Sequence, residues 1–336
     1  MDNSHIINLT EPLHESITGL DHLGKKVRIL TLNCFLRPPP IKNNKCDYKD
    51  ERAKFIIENI LSNYDIICFQ EVFGALSSRK SRIIKAAVKL GFVYYEQAPA
   101  PGFWSTQFID GGLVILSRFP ILRTDFQAFK NGVVPDLFSM KGILYCKLEI
   151  HGEPVHLFTA HLQASYPTTN QRTFLHYRQV RRHQMKIMEE FIAKNSKAKE
   201  LTLVLGDMNV DGKERQKQPL FHNIECQDDY EVLISHLCGG NLGNILDVVR
   251  SKYGYSPATY GVKLPNGEPE ETVLSHRNEN TRDTSIDHIF AMNLNESKFA
   301  IENSDTRVEP FYVKGMPFNR VSDHYGVQTS FYLKST

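Results

Sequence analysis

Eight short, mostly apolar runs recur along the chain, at residues 27–33, 66–71, 112–117, 142–150, 155–161, 201–206, 286–292 and 325–333. Their length and composition predict β-strands, most of them ending on a polar residue. The run at 155–161, V-H-L-F-T-A-H, shows the pattern well, since it alternates along its length and exits on His161. Three other stretches change to helical spacing. Residues 51–62 bring Phe55, Ile56 and Ile60 to one face, 78–90 do so with Ile83, Ile84 and Ala87, and 170–194 with Phe174, Tyr177, Val180, Ile187 and Phe191. The last stripe predicts a long helix against a core, with Arg178, Arg181, Arg182 and Lys186 on a solvated face. Strands alternating with helices, and no internal repeat, predict a layered α/β fold.

The prolines at 38–40 with Asn43 and Asn44, and residues 265–271, predict surface loops rather than a linker. One domain over 25–336 is therefore expected, preceded by an N-terminal extension, 1–24. That extension mixes acidic residues and histidines with apolar ones and lacks the basic start and continuous apolar core of a signal peptide. No apolar run approaches the roughly 20 residues that span a bilayer as a helix, so any membrane contact is expected to be peripheral.

Composition narrows this further. Hydrophobic residues make up 41% of the 336 and charged ones 23%, which describes a folded chain, not a disordered or fibrous one. Forty basic against 38 acidic residues leave a formal charge of +2, too little to draw the whole protein to nucleic acid, and no nucleic-acid partner is expected. The six cysteines lack C-x-x-C spacing, and Cys34, Cys68 and Cys146 lie within apolar runs as small hydrophobes. A reducing compartment fits, so a monomer in the cytoplasm or at a membrane periphery is expected, with export by a non-classical route open.

The polar residues at the strand ends carry the candidate chemistry. They are Asn33 in L-T-L-N, Glu71 in F-Q-E-V, His161 in T-A-H-L, Asp207 with Asn209 in L-G-D-M-N, and Asp323 with His324 in S-D-H-Y, while Asp287 and His288 interrupt S-I-D-H-I-F. Singly, each fits a turn or a helix cap. Layered α/β folds, however, gather loops from several strand ends around one site. Hard oxygen donors joined by imidazoles suit metal-assisted phosphoryl transfer. Mg2+ is the expected ion, with Mn2+ or Co2+ as substitutes, because the Cys/His spacing of a structural zinc site is absent.

In order and wording these motifs resemble the endonuclease/exonuclease/phosphatase superfamily over nearly the whole chain, the combination of G-D-M-N with a distant S-D-H being the specific part. The resemblance implies a four-layer α/β sandwich, two mixed β-sheets face to face with helices on both outer sides. It also implies roles. Glu71 is the main metal ligand, with Asn33 beside it and Asp323 adjoining. Asp207 and Asn209 orient the attacking water and hold the phosphate, and His324 is the general base, its tautomer fixed by Asp287. His161 donates to a phosphate oxygen or protonates the leaving alkoxide.

Within the superfamily, Phe35 stands where apurinic-site nucleases resemble L-N-x-D, and the G-D-L-N-Y-R and Trp-rich stretches of inositol polyphosphate phosphatases are absent. T-A-H-L-Q-A-S-Y, K-G-I-L-Y at 141–145 and S-D-H-Y-G-V are instead similar to the neutral sphingomyelinases. That resemblance implies a Mg2+-dependent phospholipase C-type enzyme that cleaves sphingomyelin to ceramide and phosphocholine. A DNase-type endonuclease, an inositol polyphosphate phosphatase, a lysophospholipid phospholipase C and an inactive binding module on the same fold are the alternatives. It further implies that Lys141 lies near the phosphate, the other reading being a surface lysine that opens an edge strand, and that Asp136 pairs with Lys141 in one conformation and releases it in another. For membrane contact the sequence offers Phe103 and Trp104 in P-A-P-G-F-W-S-T-Q-F, since aromatic rings favour the membrane interface. The apolar loop at 310–318 could line a substrate entrance or belong to the core.

Overall fold

A computed structural model describes residues 26–44, 46–102, 105, 107–166, 168–213, 228–239, 244–275 and 283–334. The predicted extension, 1–24, and both Phe103 and Trp104 lie outside the described residues. In the first half of the chain the strands are β1 (Lys26–Leu36), β2 (Ile66–Val72), β3 (Tyr94–Gln97), β4 (Ile109–Asp110), β5 (Val114–Ser117), β6 (Ile121–Ala128), β7 (Ser139–Met140) and β8 (Gly142–Ile150). β9 (Glu153–His161), β10 (Leu201–Asp207), β11 (Ile245–Asp247), β12 (Asp287–Met292), β13 (Phe299–Glu309) and β14 (Gly326–Leu333) follow. The helices are α1 (Lys49–Phe55), α2 (Arg79–Lys89), α3 (Gln171–Asn195), α4 (Asp229–Cys238) and α5 (Val248–Tyr253). The predicted helix at 51–62 begins as α1 and continues through a π turn and a 3-10 turn to Asn63.

Two mixed six-stranded sheets stack face to face, ordered β13-β14-β1-β2-β5-β3 and β11-β12-β10-β9-β8-β6, and β4 pairs with β7. The eight predicted runs are the four inner strands of each sheet. Alternation assigns each residue to a layer. Ile66 and Cys68 of β2 face the middle layer, with Leu201, Leu203 and Leu205 of β10 opposite, whereas Ile67 and Phe69 face outward onto Ile56, Ile60 and Ile83. On the far side, Phe158, Ala160 and Val204 meet Met188, Phe191 and Ile192 of α3 and Leu233 of α4. Helix, sheet, sheet, helix is the four-layer order expected from the sequence.

The predicted solvated face of α3 is corrected. Arg178 and Arg181 are buried, and with Arg182 they converge on Asp229 at the start of α4, with N–O distances of 2.7, 3.2 and 2.9 Å. A helix packed alongside supplies an anion for those charges, which the sequence of α3 alone does not reveal. Lys186 does remain exposed.

Candidate active site

The middle layer is apolar along most of its length and turns polar toward one end. There Gln70 donates from Nε2 to the hydroxyls of Thr31 and Thr159, both at 3.0 Å, which ties the two sheets together. One more step along the same faces come Asn33, His161, Asp207 and Asp287. In register, Asp207 has His161 beside it on β9 and Asp287 beside it on β12, so three strand-end residues share one rung. Asn33 spans the gap between the sheets, donating from Nδ2 to Asp207 Oδ2 at 2.9 Å and to Glu71 Oε1 at 3.1 Å.

Strict alternation would send Glu71 outward with Ile67 and Phe69. Its backbone is instead left-handed, φ 55°, and its carboxylate meets Asn33. Gly112, itself at φ +68°, makes room: a Cβ there would lie 2.9 Å from the Glu71 Cα. β5 itself starts at Val114, two residues after the predicted Gly112.

His324 lies in the loop before β14, where the Ser322 hydroxyl donates to the Asn33 carbonyl at 2.6 Å. Its Nδ1 is 2.9 Å from Asp287 Oδ2, which also accepts from the Thr259 hydroxyl at 2.7 Å, and the Tyr260 ring lies 4.9 Å from the imidazole. Its Nε2 is 3.8 Å from Asp207 Oδ2. Burial alone would depress the imidazole, but Asp287 and Asp207 outweigh it and hold the pKa up at about 10. Burial, with Asp287 close by, pushes Asp207 up to about 7, and burial, with Glu71 and Glu271 adding to it, pushes Asp323 up to about 6.

These shifts describe carboxylates crowded into a site short of positive charge. The donor set is carboxylate and amide oxygen with imidazole and no thiolate, which fits a hard divalent cation. Added positive charge would lower both carboxyls and the imidazolium together. Among the described residues, ligand atoms of Asp207, Asp287 and His324 lie within 4.8 Å of one another. His324 spends Nδ1 on Asp287 Oδ2, while Asp287 Oδ1 is buried without a partner among the described residues, and Glu71, Asp207 and Asp323 are the other carboxylates gathered here.

Across from these groups, Lys141 is buried and precedes an inner strand, so the reading of a surface lysine at an edge is corrected. Its ammonium donates to Asp136 Oδ2 at 2.8 Å and to the Leu162 carbonyl at 3.1 Å, and stands 3.0 Å from His161 Nε2. Asp136 also accepts from the Ala164 N–H at 2.9 Å and the Tyr166 hydroxyl at 2.7 Å. Burial and then Lys141 depress His161 well below its ordinary value, so the ring is neutral. An ammonium only donates, so Nε2 accepts and Nδ1 carries the proton. That Nδ1 is buried without a partner among the described residues. In this tautomer Nε2 is taken by Lys141 and the Nδ1–H is the donor that His161 has left. Asn209, left-handed at φ 51°, donates its side-chain amide to the Leu162 carbonyl at 3.1 Å.

Asn33, Glu71, Lys141, Asp136, His161, Asp207, Asn209, Asp287, Asp323 and His324 thus gather at one end of the sandwich. His288 turns to the other face, with Nε2 2.9 Å from the Val210 carbonyl and Nδ1 3.3 Å from Asp247. In the loop at 310–318, Val313 and Phe318 are buried while Tyr312 and Met316 are exposed. Sequence reasoning missed Thr259 and Tyr260, which lie in loops without a motif, and gave no role to Tyr166, the last residue of T-A-H-L-Q-A-S-Y. It also missed Arg52, fully buried, whose guanidinium donates to the carbonyls of Cys34, Phe35 and Val321 at 2.7, 2.8 and 3.0 Å. For Arg52 the only signal is a basic residue at a helical position.

A model of the endonuclease/exonuclease/phosphatase family matches residues 30–324. A sphingomyelinase of Dictyostelium discoideum is 29% identical over 95% of this chain and 82% of its own length. A phospholipase C of Staphylococcus aureus is 25% identical over 90% of this chain and 86% of its own length. The fold matches that of a beta toxin mutant from Staphylococcus aureus crystallised with bound magnesium ions, with a TM-score of 0.62 at 20% identity over 93% of this chain and 100% of that one.

Proposed function

The chain belongs to the endonuclease/exonuclease/phosphatase family and is a phosphodiesterase, and we propose that it hydrolyses sphingomyelin to ceramide and phosphocholine with Mg2+. The observation that carries the choice of substrate is the similarity to a sphingomyelinase over 95% of the chain. A hard divalent cation held by Glu71, with Asn33 and Asp323 beside it, would neutralise charge on the phosphoryl group.

The remaining work falls to side chains. His324, oriented through Nδ1 by Asp287, takes the proton of the attacking water at Nε2. Asp207, on the Nε2 side of that ring, orients the water. The Nδ1–H of His161 and the amide of Asn209 donate to phosphoryl oxygens. Lys141, released from Asp136, supplies the ammonium for the leaving alkoxide. Asp136 holds Lys141 in this conformation, so a change at Asp136 would act as the switch.

A phospholipid substrate requires peripheral contact with a lipid surface, for which no helix among the described residues is long and apolar enough to cross. Trp104, the chain's only tryptophan, is proposed to enter that surface with Phe103, and a blue shift of its fluorescence on sphingomyelin vesicles is expected. The protein is proposed to act as a monomer.

The test offers purified protein with Mg2+ to vesicles of sphingomyelin, phosphatidylcholine or lysophosphatidylcholine, and to plasmid DNA, with EDTA, Mn2+ and Co2+ arms. Phosphocholine released from sphingomyelin and abolished by EDTA is expected. Nicked DNA without lipid turnover, or release from lysophosphatidylcholine alone, would overturn the substrate.

A further inference from the structure

Arg37 follows β1 by one residue and has no assigned role. Its guanidinium carbon stands 4.1 Å from the centroid of the Phe35 ring, so the cation lies over an aromatic face with no carboxylate at position 35 to neutralise it. Its Nε and Nη2 are buried without hydrogen-bond partners among the described residues. Two buried donors on one guanidinium edge are unfavourable unless a ligand completes them.

Nor is the group loosely hung. Phe35 is left-handed at φ 51°, its N–H donates to Asn33 Oδ1 at 3.0 Å, and its carbonyl accepts from Arg52 at 2.8 Å. Pro38 restricts the Arg37 backbone to extended conformations. Through Asn33, Phe35 is tied to the candidate site, since Asn33 in turn bonds Asp207 and Glu71, and the Arg37 charge is close enough to lower the Asp323 carboxyl. An anion at this end of the sandwich meets a further positive charge there.

We propose that Arg37 is a phosphate-binding residue of the active site, its Nε–H and Nη2–H receiving two oxygens of a phosphate oxyanion. The same edge suits the phosphodiester of the lipid and the phosphomonoester released from it, because both present two non-bridging oxygens to a planar two-donor fork. The proposal rests on the phosphodiesterase reading and adds to it a second cation, brought by a different strand from Lys141.

The experiment compares wild type with Arg37→Gln and Arg37→Lys in two measurements. One is steady-state hydrolysis of sphingomyelin in mixed micelles. The other is calorimetric binding of phosphocholine and of inorganic phosphate, with Mg2+ and with EDTA, which needs no turnover. Arg37→Gln is expected to raise KM about tenfold with little change in kcat and to weaken phosphocholine binding by a similar factor. Arg37→Lys, which keeps the charge and loses the fork, should weaken it less. An effect on phosphocholine alone assigns the oxyanion to the product, and an effect on both assigns it to the diester as well. If Arg37→Gln melts early, Arg37→Lys carries the test, and wild-type phosphocholine affinity in that variant overturns the proposal. Unchanged KM and unchanged affinity in a folded Arg37→Gln protein also overturn it, as does a wild type that binds neither phosphate species. Arg37-dependent phosphate binding without sphingomyelin hydrolysis would fault the substrate instead and leave Arg37 standing.

Discussion

Replacing Thr259 with valine keeps the shape of a buried side chain and removes one hydroxyl that serves three partners. Oγ1 donates to Asp287 Oδ2 at 2.7 Å and accepts from the N–H groups of Ile286 and Asp287 at 3.0 and 3.2 Å. Oδ1 of Asp287 is buried with no partner among the described residues, where Thr259 and His324 provide the side-chain support of this carboxylate. A hydrogen bond to an ionised group contributes about 1.5–3 kcal/mol net. Were all of it felt when His324 takes its proton, kcat would fall about ten- to a hundredfold. The two amides that lose their acceptor add a separate cost to stability, about 1–3 kcal/mol each. The assay is kcat and KM for phosphocholine release well below the melting temperature, with Thr259→Ser as the variant that keeps the hydroxyl. The expectation is a lower kcat at unchanged KM for valine and near wild-type behaviour for serine. A folded Thr259→Val enzyme with kcat within about twofold of wild type would refute the claim that Thr259 supports the base through Asp287.

Glu71→Gln should abolish hydrolysis and weaken Mg2+ binding in a calorimetric titration, and unchanged affinity would remove Glu71 from the metal site. In a double-mutant cycle on kcat/KM, Asp136→Ala and Lys141→Ala should be coupled by about 1 kcal/mol or more, given the buried 2.8 Å pair, and additive effects would sink the switch. The pH dependence of metal-free stability follows from two raised groups, Asp207 at about 7 against 3.8 and His324 at about 10 against 6.5. Both bind their proton more tightly in the folded chain. Their contribution is therefore complete below the unfolded values and is lost as pH rises, first through about 7 and then through about 10. The melting temperature of EDTA-treated protein should fall over that range, with Asp207→Asn flattening its lower part, and a level profile in both proteins would contradict the assigned shifts.

What the sequence revealed of the fold follows from how much water each strand meets. The inner strands, buried on both faces, appear as apolar runs. The edge strands do not. β13 reads F-A-I-E-N-S-D-T-R-V-E, and β6 is half exposed with Arg123, Thr124 and Asp125 in its middle. Such polarity protects an edge from pairing with another chain, and the same polarity conceals the strand. The site divides in a similar way. Asn33, His161, Asp207 and Asp287 are legible because each is a polar residue on the inward face where an apolar run begins or stops. Thr259, Tyr166 and Arg37 depend on where loops come to rest. The residue type of Lys141 was legible but its burial was not, because Asp136 reaches it from a 3-10 turn.

The Ser322 hydroxyl and the Asn33 carbonyl it bonds are 289 residues apart, and Arg52 reaches a carbonyl 269 residues downstream. β14, which follows His324 directly, pairs with β1 on one side and β13 on the other. The candidate-site end of the sandwich can consequently be completed only after the chain has been made through β14. Contacts of such long sequence separation form slowly and late. A nascent chain halted before residue 324 carries Glu71, His161 and Asp207 yet lacks His324, so under the proposed mechanism it is inert. Proteolytic removal of His324 together with β14 would return the protein to that state.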